Sequence, residues 1–357
     1  MDLLESLAAI ARDGSATIGV TDLEPFPEER RAIHEQVAKG YNGSLSFTYA
    51  APDVASNPRA SFPWAASIVV VAVPYLIDGD GESEHRSVAR FADGDRYAGL
   101  RVVLGGLSDV LEHRGHRNEI VFDDDRLLDR AVAIRSGVTW RGKSTMGLTP
   151  RYGPWILIGS VVTSAEMEPT EPMTRTCGTC DACLPACPTG AIVSPGVLDA
   201  RRCIAAILQS RGAIEEDMRA AIGGRIYGCD DCLTACPPGQ TVLVSLSPEK
   251  QPLTPGDVLA LSDRDLASVT EHWYVPSRSI RFVRRNALVA LGNTGDASHL
   301  GMLAGYMGHH DSLLAGHAAW AVGHIGGDVA HSICELALAN EERISVVSEI
   351  KAAMAAW

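Results

Sequence analysis

The spacing of hydrophobic and polar residues changes along the chain and divides the sequence into three parts. Over residues 1–165, short runs rich in Val and Ile alternate with stretches in which apolar residues recur every three or four positions. The first pattern is typical of strands and the second of amphipathic helices. It predicts strands at 16–20, 67–73, 119–122 and 155–162, and helices at 3–11, 28–38, 95–113 and 126–135. This part is predicted to be a mixed α/β domain with helices over a sheet.

The second part, residues 166–245, is dominated by Pro, Gly and Cys. Its hydrophobic periodicity is weak apart from predicted helices near 204–211 and 215–222. A segment with so few core residues needs bound metal to hold a fold together. We therefore predict a separate metal-dependent domain here.

The third part, residues 246–357, is helical in pattern and rich in Ala, Leu and Gly. Two of its stretches resemble each other and begin about 30 residues apart. They read Arg285-Asn-Ala-Leu-Val-Ala-Leu-Gly-Asn-Thr-Gly-Asp and Ala315-Gly-His-Ala-Ala-Trp-Ala-Val-Gly-His-Ile-Gly-Gly-Asp. The similarity predicts a HEAT-like helical repeat pair, and two unrelated Ala-rich helices are the alternative. The whole chain is thus predicted to be an α+β protein of three domains.

Composition indicates the type of protein and the compartment in which it works. The 357 residues are 46% hydrophobic and 21% charged, which suits two or three ordinary globular domains. The N-terminus lacks the basic start and apolar core of a secretory signal, and the longest nearly apolar run, 65–77, is too short to cross a bilayer. We predict a cytoplasmic protein with no membrane partner. The net charge of −13 weighs against a nucleic-acid partner unless basic residues cluster locally.

Eight of the nine cysteines fall between Cys177 and Cys236, and Cys334 stands apart. The cytoplasm keeps thiols reduced, so this crowding indicates metal ligands rather than disulfides. Cys334 is predicted to be a small core residue.

The cysteine spacing identifies the metal centres as two [4Fe–4S] clusters. One run is Cys177-Gly-Thr-Cys180-Asp-Ala-Cys183-Leu-Pro-Ala-Cys187-Pro188, the C-x2-C-x2-C-x3-C-P pattern of bacterial ferredoxins. In that pattern the fourth cysteine binds the other cluster. A second run ends the same way at Cys236-Pro237, and Cys203 supplies its missing ligand. Zinc is the alternative, but a zinc site has no use for two C-x3-C-P endings.

The exchange of fourth ligands assigns all eight cysteines. Cluster one is predicted to bind Cys177, Cys180, Cys183 and Cys236, and cluster two to bind Cys187, Cys203, Cys229 and Cys232.

An acidic run at a predicted strand end precedes the cysteine segment. Asp123-Asp-Asp-Arg126 follows the strand at 119–122 and leads into a predicted helix. A carboxylate in such a place is suited to general acid catalysis. Taken alone, the run is more typical of a solvated turn that caps the helix.

The order of motifs resembles the cobalamin-dependent epoxyqueuosine reductases, and the resemblance spans nearly the whole chain. Besides both cysteine runs, the matching pieces are Gly40-Tyr-Asn-Gly43, the strand at 66–75, Arg90-Phe-Ala-Asp-Gly-Asp-Arg-Tyr97, Gly137…Trp140-Arg-Gly-Lys143, Arg202-Cys203-Ile, Tyr227-Gly-Cys229-Asp-Asp-Cys232 and Arg285-Asn-Ala-Leu-Val-Ala-Leu-Gly-Asn293.

The resemblance implies a function and a second cofactor. Members of this family use a corrinoid, fed with electrons by the clusters, to remove the epoxide oxygen of epoxyqueuosine in the tRNA anticodon loop. The implied site has Asp123 as proton donor beside the corrinoid and Tyr97 lining it, with Trp140, Lys143 and Ser144 as further contacts. The corrinoid is expected between the N-terminal domain and the cluster domain, the electron donor is unknown, and a monomer is expected.

A local cluster of arginines could bind tRNA despite the negative net charge of the chain. Spacing of three and four residues puts Arg278, Arg281 and Arg285 along one helix face, which predicts contacts with phosphates of the anticodon stem. A solvated helix face is the alternative.

Two other functions stay open. One keeps both cofactors but acts on a small molecule, as in reductive dehalogenation. The other is an electron-transfer module without corrinoid, whose helical repeats dock a partner protein.

Overall fold

The chain folds into two compact units over the residues that the computed structural model describes, 2–82, 86–248 and 253–355. The first unit comprises 2–82, 95–201 and 230–248, and the second comprises 86–94, 202–229 and 253–355. The cysteine segment predicted as a domain at 166–245 does not form a unit of its own. With few apolar residues to bury, its parts join the cores of the other two segments.

Helices and strands alternate in the first part of the chain, and helices fill the last part. The helices in chain order are α1 Leu3–Asp13, α2 Pro27–Ala38, α3 Phe47–Ala50, α4 Pro52–Ala55, α5 Pro58–Ser61, α6 Tyr97–His113, α7 Asp129–Arg135, α8 Ile204–Leu208, α9 Glu216–Ile222, α10 Asp231–Thr234, α11 Pro237–Leu243, α12 Pro255–Ala260, α13 Asp263–Val269, α14 Arg281–Gly292, α15 Leu300–Met307, α16 Ser312–Ile325, α17 Gly327–Asn340 and α18 Ile344–Ala355. The strands are β1 Thr17–Thr21, β2 Ser67–Pro74, β3 Asn118–Val121, β4 Trp140–Arg141, β5 Gly147–Leu148, β6 Ile156–Thr163, β7 Ile192–Ser194 and β8 Val197–Leu198.

An antiparallel sheet with the strand order β1-β2-β6-β3 organises the first unit. Strand β2 is buried along nearly its whole length, so helices must cover both faces. Ile68, Val70 and Ala72 belong to the core that also contains α7, while α1 packs on α6 and α6 packs against β6 and β3. The predicted mixed α/β domain is confirmed.

Helix α7 begins three residues later than predicted. The side chain of Asp124 accepts the backbone N–H of Arg126 at 2.9 Å, which turns the chain before the helix can start. The same carboxylate is ion-paired with the Arg126 guanidinium at 2.6 Å. The acidic run is therefore a loop, and the helix follows it.

The second unit is helical, and alternate helices of its C-terminal part stack on one another. Helix α14 packs against α16, and α16 packs against α18. Two glycines permit the close approach: a Cβ atom on Gly292 would lie 2.7 Å from the Cβ of Ala321, and one on Gly323 would lie 2.4 Å from the Cβ of Ala353. Both glycines occupy the same place in the two similar stretches. Among the described residues, no helix is long and apolar enough to cross a membrane.

The glycine contact makes a testable prediction about stability. Gly292→Ala should lower the free energy of unfolding by about 1–3 kcal/mol, because the added methyl group overpacks the α14–α16 contact. The matched control is Gly305→Ala in α15, where a Cβ meets nothing within 4 Å. That variant should be stabilised by up to about 1 kcal/mol through helix propensity. Thermal unfolding of the anaerobic, cluster-loaded protein measures both, and equal shifts for the two variants would contradict the packing argument.

Candidate functional site

The first unit brings together the four cysteines predicted to bind cluster one. Burial raises the pKa of the Cys236 thiol to about 11; a hydrogen bond from Gly239 opposes the shift, and the nearby thiols of Cys177, Cys183 and Cys180 add to it. Such mutual repulsion is relieved when iron binds the thiolates. In the described ranges no three His, Cys, Asp or Glu side chains surround a single-ion position. A cubane does not require that, because each of its iron atoms takes one cysteine.

Cys236 is positioned by the sheet that organises the unit. The indole N–H of Trp155, which precedes β6, donates to the carbonyl oxygen of Gly239 at 3.0 Å. A Cβ on Gly239 would lie 2.8 Å from that same indole nitrogen, so only glycine fits. Pro237 then starts α11 directly after Cys236. The Cys-Pro-Pro-Gly turn is thereby held against a buried aromatic ring.

Cys187 receives hydrogen bonds typical of a cluster ligand. The backbone N–H of Ala191 donates to its sulfur at 3.2 Å, and the hydroxyl of Thr189 lies 3.7 Å away. Burial alone would raise the pKa of the Cys187 thiol, but these groups and the backbone of Ile192 lower it overall. Donors to a ligand sulfur stabilise the thiolate and tune the potential of its cluster. Cys232 belongs to the same unit.

Cys203 and Cys229 belong to the second unit, where the helical core holds their backbone. Cys203 is the N-cap residue of α8. Gly228, at φ +72°, packs so closely that a Cβ there would lie 2.5 Å from the Cβ of Ala89. The ligand assignment of this second set stays a prediction. Cys334 is fully buried in α17, as a core residue should be.

Arg285 is not the surface residue that helical spacing predicted. It is fully buried and donates to the carbonyl oxygens of Ser210 and Gly212 at 3.0 and 2.6 Å. The neighbouring Asn286 donates to the carbonyl oxygens of Leu208 and Ile226 at 2.8 and 2.9 Å. The prediction that Arg285 contacts phosphate is wrong, because its guanidinium is used for hydrogen bonds to backbone carbonyls of the loop after α8. That loop follows Cys203.

Arg278 and Arg281 are exposed in the second unit. Arg281 is ion-paired with Asp311 at 2.8 Å, with 44% of its side chain still accessible, and Arg278 donates to the carbonyl oxygen of Glu271 at 2.6 Å. A contact with phosphate is sterically open to both side chains, and their role stays a prediction.

The acidic loop after β3 lies at a cavity of about 400 Å³ in the first unit. Asp123 lines it, is exposed and has φ +48°, a left-handed conformation that non-glycine residues rarely adopt. Asp129, the first residue of α7, lines the same cavity. Burial raises the pKa of the Asp129 carboxyl well above its usual range, and the charge of Asp123 adds to this. Two carboxyl groups of different surroundings therefore share one site, an arrangement suited to proton transfer.

The other predicted site residues also belong to the first unit. The Tyr97 ring lies 6.0 Å from that of Phe122, which directly precedes Asp123. Trp140 is buried in β4, and its indole N–H has no partner among the described residues. Lys143 and the buried Ser144 form the turn between β4 and β5.

The turn after β4 lies between α7 and the cysteines predicted for cluster one. Arg130 of α7 donates to the carbonyl oxygen of Thr145 at 3.0 Å. On the other side, the charge of Lys143 affects the pKa of the Cys183 thiol. The turn from Lys143 to Thr145 is therefore bonded to α7 on one side and lies near the Cys183 thiol on the other.

Asp129 and Arg130 are site residues that sequence reasoning missed. Their only signal is a charged pair following Leu127 and Leu128, which reads as an ordinary helix start. Burial of one carboxyl oxygen of Asp129 is a tertiary property with no local signature.

Comparison with known proteins agrees on one family. A family profile for a 4Fe-4S double cluster binding domain matches residues 176–239. Epoxyqueuosine reductase of Bacillus subtilis (strain 168) is 34% identical over 371 aligned positions, which cover 98% of this chain and 94% of that protein. A solved epoxyqueuosine reductase with an epoxyqueuosine-modified tRNA-Tyr stem loop superposes with a TM-score of 0.88 at 31% identity, covering 99% of this chain and 98% of the other.

A further solved structure belongs to the same family. It is the epoxyqueuosine reductase of Bacillus subtilis with its catalytic aspartate loop swung out of the active site. It superposes with a TM-score of 0.87 at 30% identity and covers 99% of each chain.

The grouping of Cys236 with the first cysteine run makes a testable prediction. Cys236→Ser should remove one cluster ligand and lower the iron content from about eight to about four atoms per chain. The matched control is Cys334→Ser, which should keep full iron content because Cys334 lies outside the cluster segment. Iron and sulfide analysis with low-temperature electron paramagnetic resonance measures both variants. Full iron in the Cys236 variant would refute the assignment.

Proposed function

The chain belongs to the epoxyqueuosine reductase family, and from this we propose that it reduces epoxyqueuosine in the anticodon loop of tRNA to queuosine. The reaction removes the epoxide oxygen as water and consumes two electrons and two protons. The observation that carries the proposal is the exposed Asp123, set on a strained loop at the cavity of the unit that also contains the four cysteines predicted for cluster one. A proton source and an electron source are therefore available in one unit.

We assign cobalamin as the second cofactor, held by the first unit. Tyr97 beside the acidic loop, the buried indole N–H of Trp140 and the turn at Lys143 and Ser144 are the residues that would hold it. The Trp140 indole N–H, which meets no acceptor within the described part of the chain, supports the fit, because a buried N–H without an acceptor is costly unless a bound group receives it. When bound, a reduced corrinoid supplies the strong reductant that epoxide opening requires.

Asp123 acts as the general acid in this proposal. Breaking the C–O bond of the epoxide develops negative charge on oxygen, and a proton donated there lowers the barrier. Asp123 is exposed at the cavity, and its backbone has left-handed dihedral angles. Such strained conformations are concentrated at functional sites.

The remaining assignments follow from the substrate. Reduction of a tRNA nucleoside places the enzyme in the cytoplasm, where we propose that it works as a monomer with an electron donor yet to be identified. The C-terminal helices would serve as a HEAT-like repeat pair that presents Arg278 and Arg281 to the tRNA backbone. Cluster two would bind Cys187, Cys203, Cys229 and Cys232.

The test is a cofactor-dependent turnover assay. Anaerobic protein reconstituted with iron, sulfide and cobalamin, given a strong reductant and epoxyqueuosine-bearing tRNA, should form queuosine over several turnovers, detected by mass spectrometry after nuclease digestion. Product should not form when cobalamin is left out. Full clusters and bound cobalt without product would point to a small-molecule substrate. Failure to bind cobalt at all would point to an electron-transfer module.

The same assay tests the proton donor. Asp123→Asn should lower turnover by at least about a hundredfold, the usual contribution of a general acid, while the visible spectra of clusters and corrinoid stay unchanged. Asp125→Asn is the matched control, since Asp125 is exposed on the same loop. Turnover within severalfold of the parent protein in the Asp123 variant would remove this residue from the mechanism.

The proposed tRNA surface has its own test. Replacing Arg278 and Arg281 together by Ala should weaken tRNA binding and lower the slope of log K against log salt by about two, one for each lost phosphate contact. Arg12→Ala in α1 of the other unit removes an exposed cation as a control and should change neither quantity. An unchanged salt slope in the double variant would place the tRNA elsewhere.

A further inference from the structure

Arg285 carries a positive charge into the core of the second unit. Its side chain is fully buried, and its guanidinium lies 5.4 Å from the ring centre of Phe282. Its N–H groups donate to uncharged oxygens, which are the side-chain oxygen of Asn286 and the backbone carbonyls of Ile207, Leu208, Ser210 and Gly212. These hydrogen bonds satisfy the donors of the guanidinium, but they bring no negative charge to it.

No carboxylate of the described residues forms an ion pair with Arg285. Two other buried arginines of the same unit do have such a partner. Arg219 donates to both carboxylate oxygens of Glu349 at 2.7 and 2.8 Å, and Arg284 is paired with Asp263 at 2.7 Å. Arg284 and Arg285 are neighbours in α14 and are both buried, so they differ chiefly in whether their charge is compensated.

The surroundings of Arg285 disfavour its charged form. Burial lowers the pKa of its guanidinium to about 9, and the positive charge of Arg281 adds to the shift. A neutral donor avoids this cost, as the side-chain amide of Asn286 does when it donates to the carbonyl oxygens of Leu208 and Ile226. A buried charge without a partner is unfavourable, so we expect an anion near Arg285 that the described side chains do not supply.

Arg285 lies at the end of the short helix that Cys203 begins. Cys203 is the N-cap residue of α8, and its carbonyl oxygen accepts the N–H of Ile207 at 2.9 Å. The carbonyl oxygen of Ile207 in turn accepts an N–H of Arg285 at 3.4 Å. Helix α8 has five residues, which span about 8 Å. The guanidinium is therefore about 10 Å from the backbone of a predicted cluster ligand.

An iron–sulfur cluster at Cys203 is an anion of the required kind. A [4Fe–4S] cluster bound by four thiolates has a net negative charge, which grows by one when the cluster accepts an electron. A nearby positive charge therefore stabilises the reduced form more than the oxidised form and raises the reduction potential. At about 10 Å and an effective dielectric constant of about 20, one unit charge changes this equilibrium about tenfold.

We propose that Arg285 is the counter-ion of cluster two: its buried charge offsets the negative charge of the cluster and raises the cluster's reduction potential. The proposal rests on the predicted binding of cluster two by Cys203 and does not depend on the substrate. It gives the C-terminal helices a role in electron transfer, because α14 places a positive charge beside α8. A cluster of higher potential is reduced more completely by a given electron donor.

Redox titration of the anaerobic, cluster-loaded protein without tRNA tests the proposal. Low-temperature electron paramagnetic resonance measures the reduced clusters at set potentials, and the signal of cluster two is the one that Cys203→Ala lacks. Arg285→Gln keeps an amide donor but removes the charge. The ratio of reduced to oxidised cluster two at a fixed potential should therefore fall about three- to tenfold. At 59 mV per tenfold for one electron, the midpoint potential should fall by about 28–59 mV.

Two further variants separate the charge from the hydrogen bonds. Arg285→Lys keeps the charge but loses most of the hydrogen bonds, so the same ratio should stay within about twofold of the parent value. Arg284→Gln is the matched control, because the charge it removes is already paired with Asp263, and it should leave the ratio unchanged. An unchanged potential in Arg285→Gln, or an equal fall in the Gln and Lys variants of Arg285, would overturn the proposal.

Iron analysis decides the case in which Arg285→Gln does not retain cluster two. Loss of that cluster from Arg285→Gln but not from Arg285→Lys would support the counter-ion role, since the charge distinguishes the two variants. Loss from both would leave only backbone support and would overturn the role, as would full iron content in Cys203→Ala. If queuosine never forms but the potentials shift as expected, the proposed function fails and the counter-ion role stands.

Discussion

Eight cysteines predicted to bind iron cannot at the same time fill an apolar core, and this constraint governs how the cysteine segment is built. Each unit holds its share of that segment through backbone contacts made by buried side chains. In the first unit the Trp155 indole donates to Gly239, three residues after Cys236. In the second unit Arg285 and Asn286 donate to carbonyl oxygens in the loop after α8. A buried guanidinium, amide or indole donor without an acceptor would be costly, so these contacts matter alongside apolar packing.

Burial also matters beside the acidic loop, where it affects the protonation of the Asp129 carboxyl. Asp123 and Asp129 are the same residue type but have different surroundings, one exposed at the cavity and one with an oxygen atom closed off from water. In a poorly solvated site two adjacent carboxylates cannot both ionise cheaply. One carboxyl is therefore open to the cavity, and the surroundings of the other favour its protonated form.

Charge across the chain shows how little a global count says about a binding surface. The net charge of −13 gives no reason to expect an anionic partner. Of the three arginines predicted on one helix face, Arg285 is internal and completes the backbone of a neighbouring loop, whereas Arg278 and Arg281 are exposed. Helical spacing did not predict this difference, because Arg278 lies before the start of α14 and the burial of Arg285 depends on which helices pack around α14.

The sequence by itself determined the cluster chemistry, the α/β and helical halves, and the glycine-rich contacts between helices. These features depend on local spacing: cysteines two and three residues apart, apolar residues two or about four apart, and a motif recurring after about 30 residues. Only the tertiary structure decided how the cysteine segment is divided, why α7 starts at Asp129, and that Arg285 lies inside. Each of these depends on partners far away in sequence or on burial, and a buried Asp or Arg looks the same in sequence as an exposed one. The cavity that Asp123 and Asp129 line is likewise a product of tertiary packing. Only when α7 packs on the rest of the unit does the Asp129 carboxyl lose its contact with water.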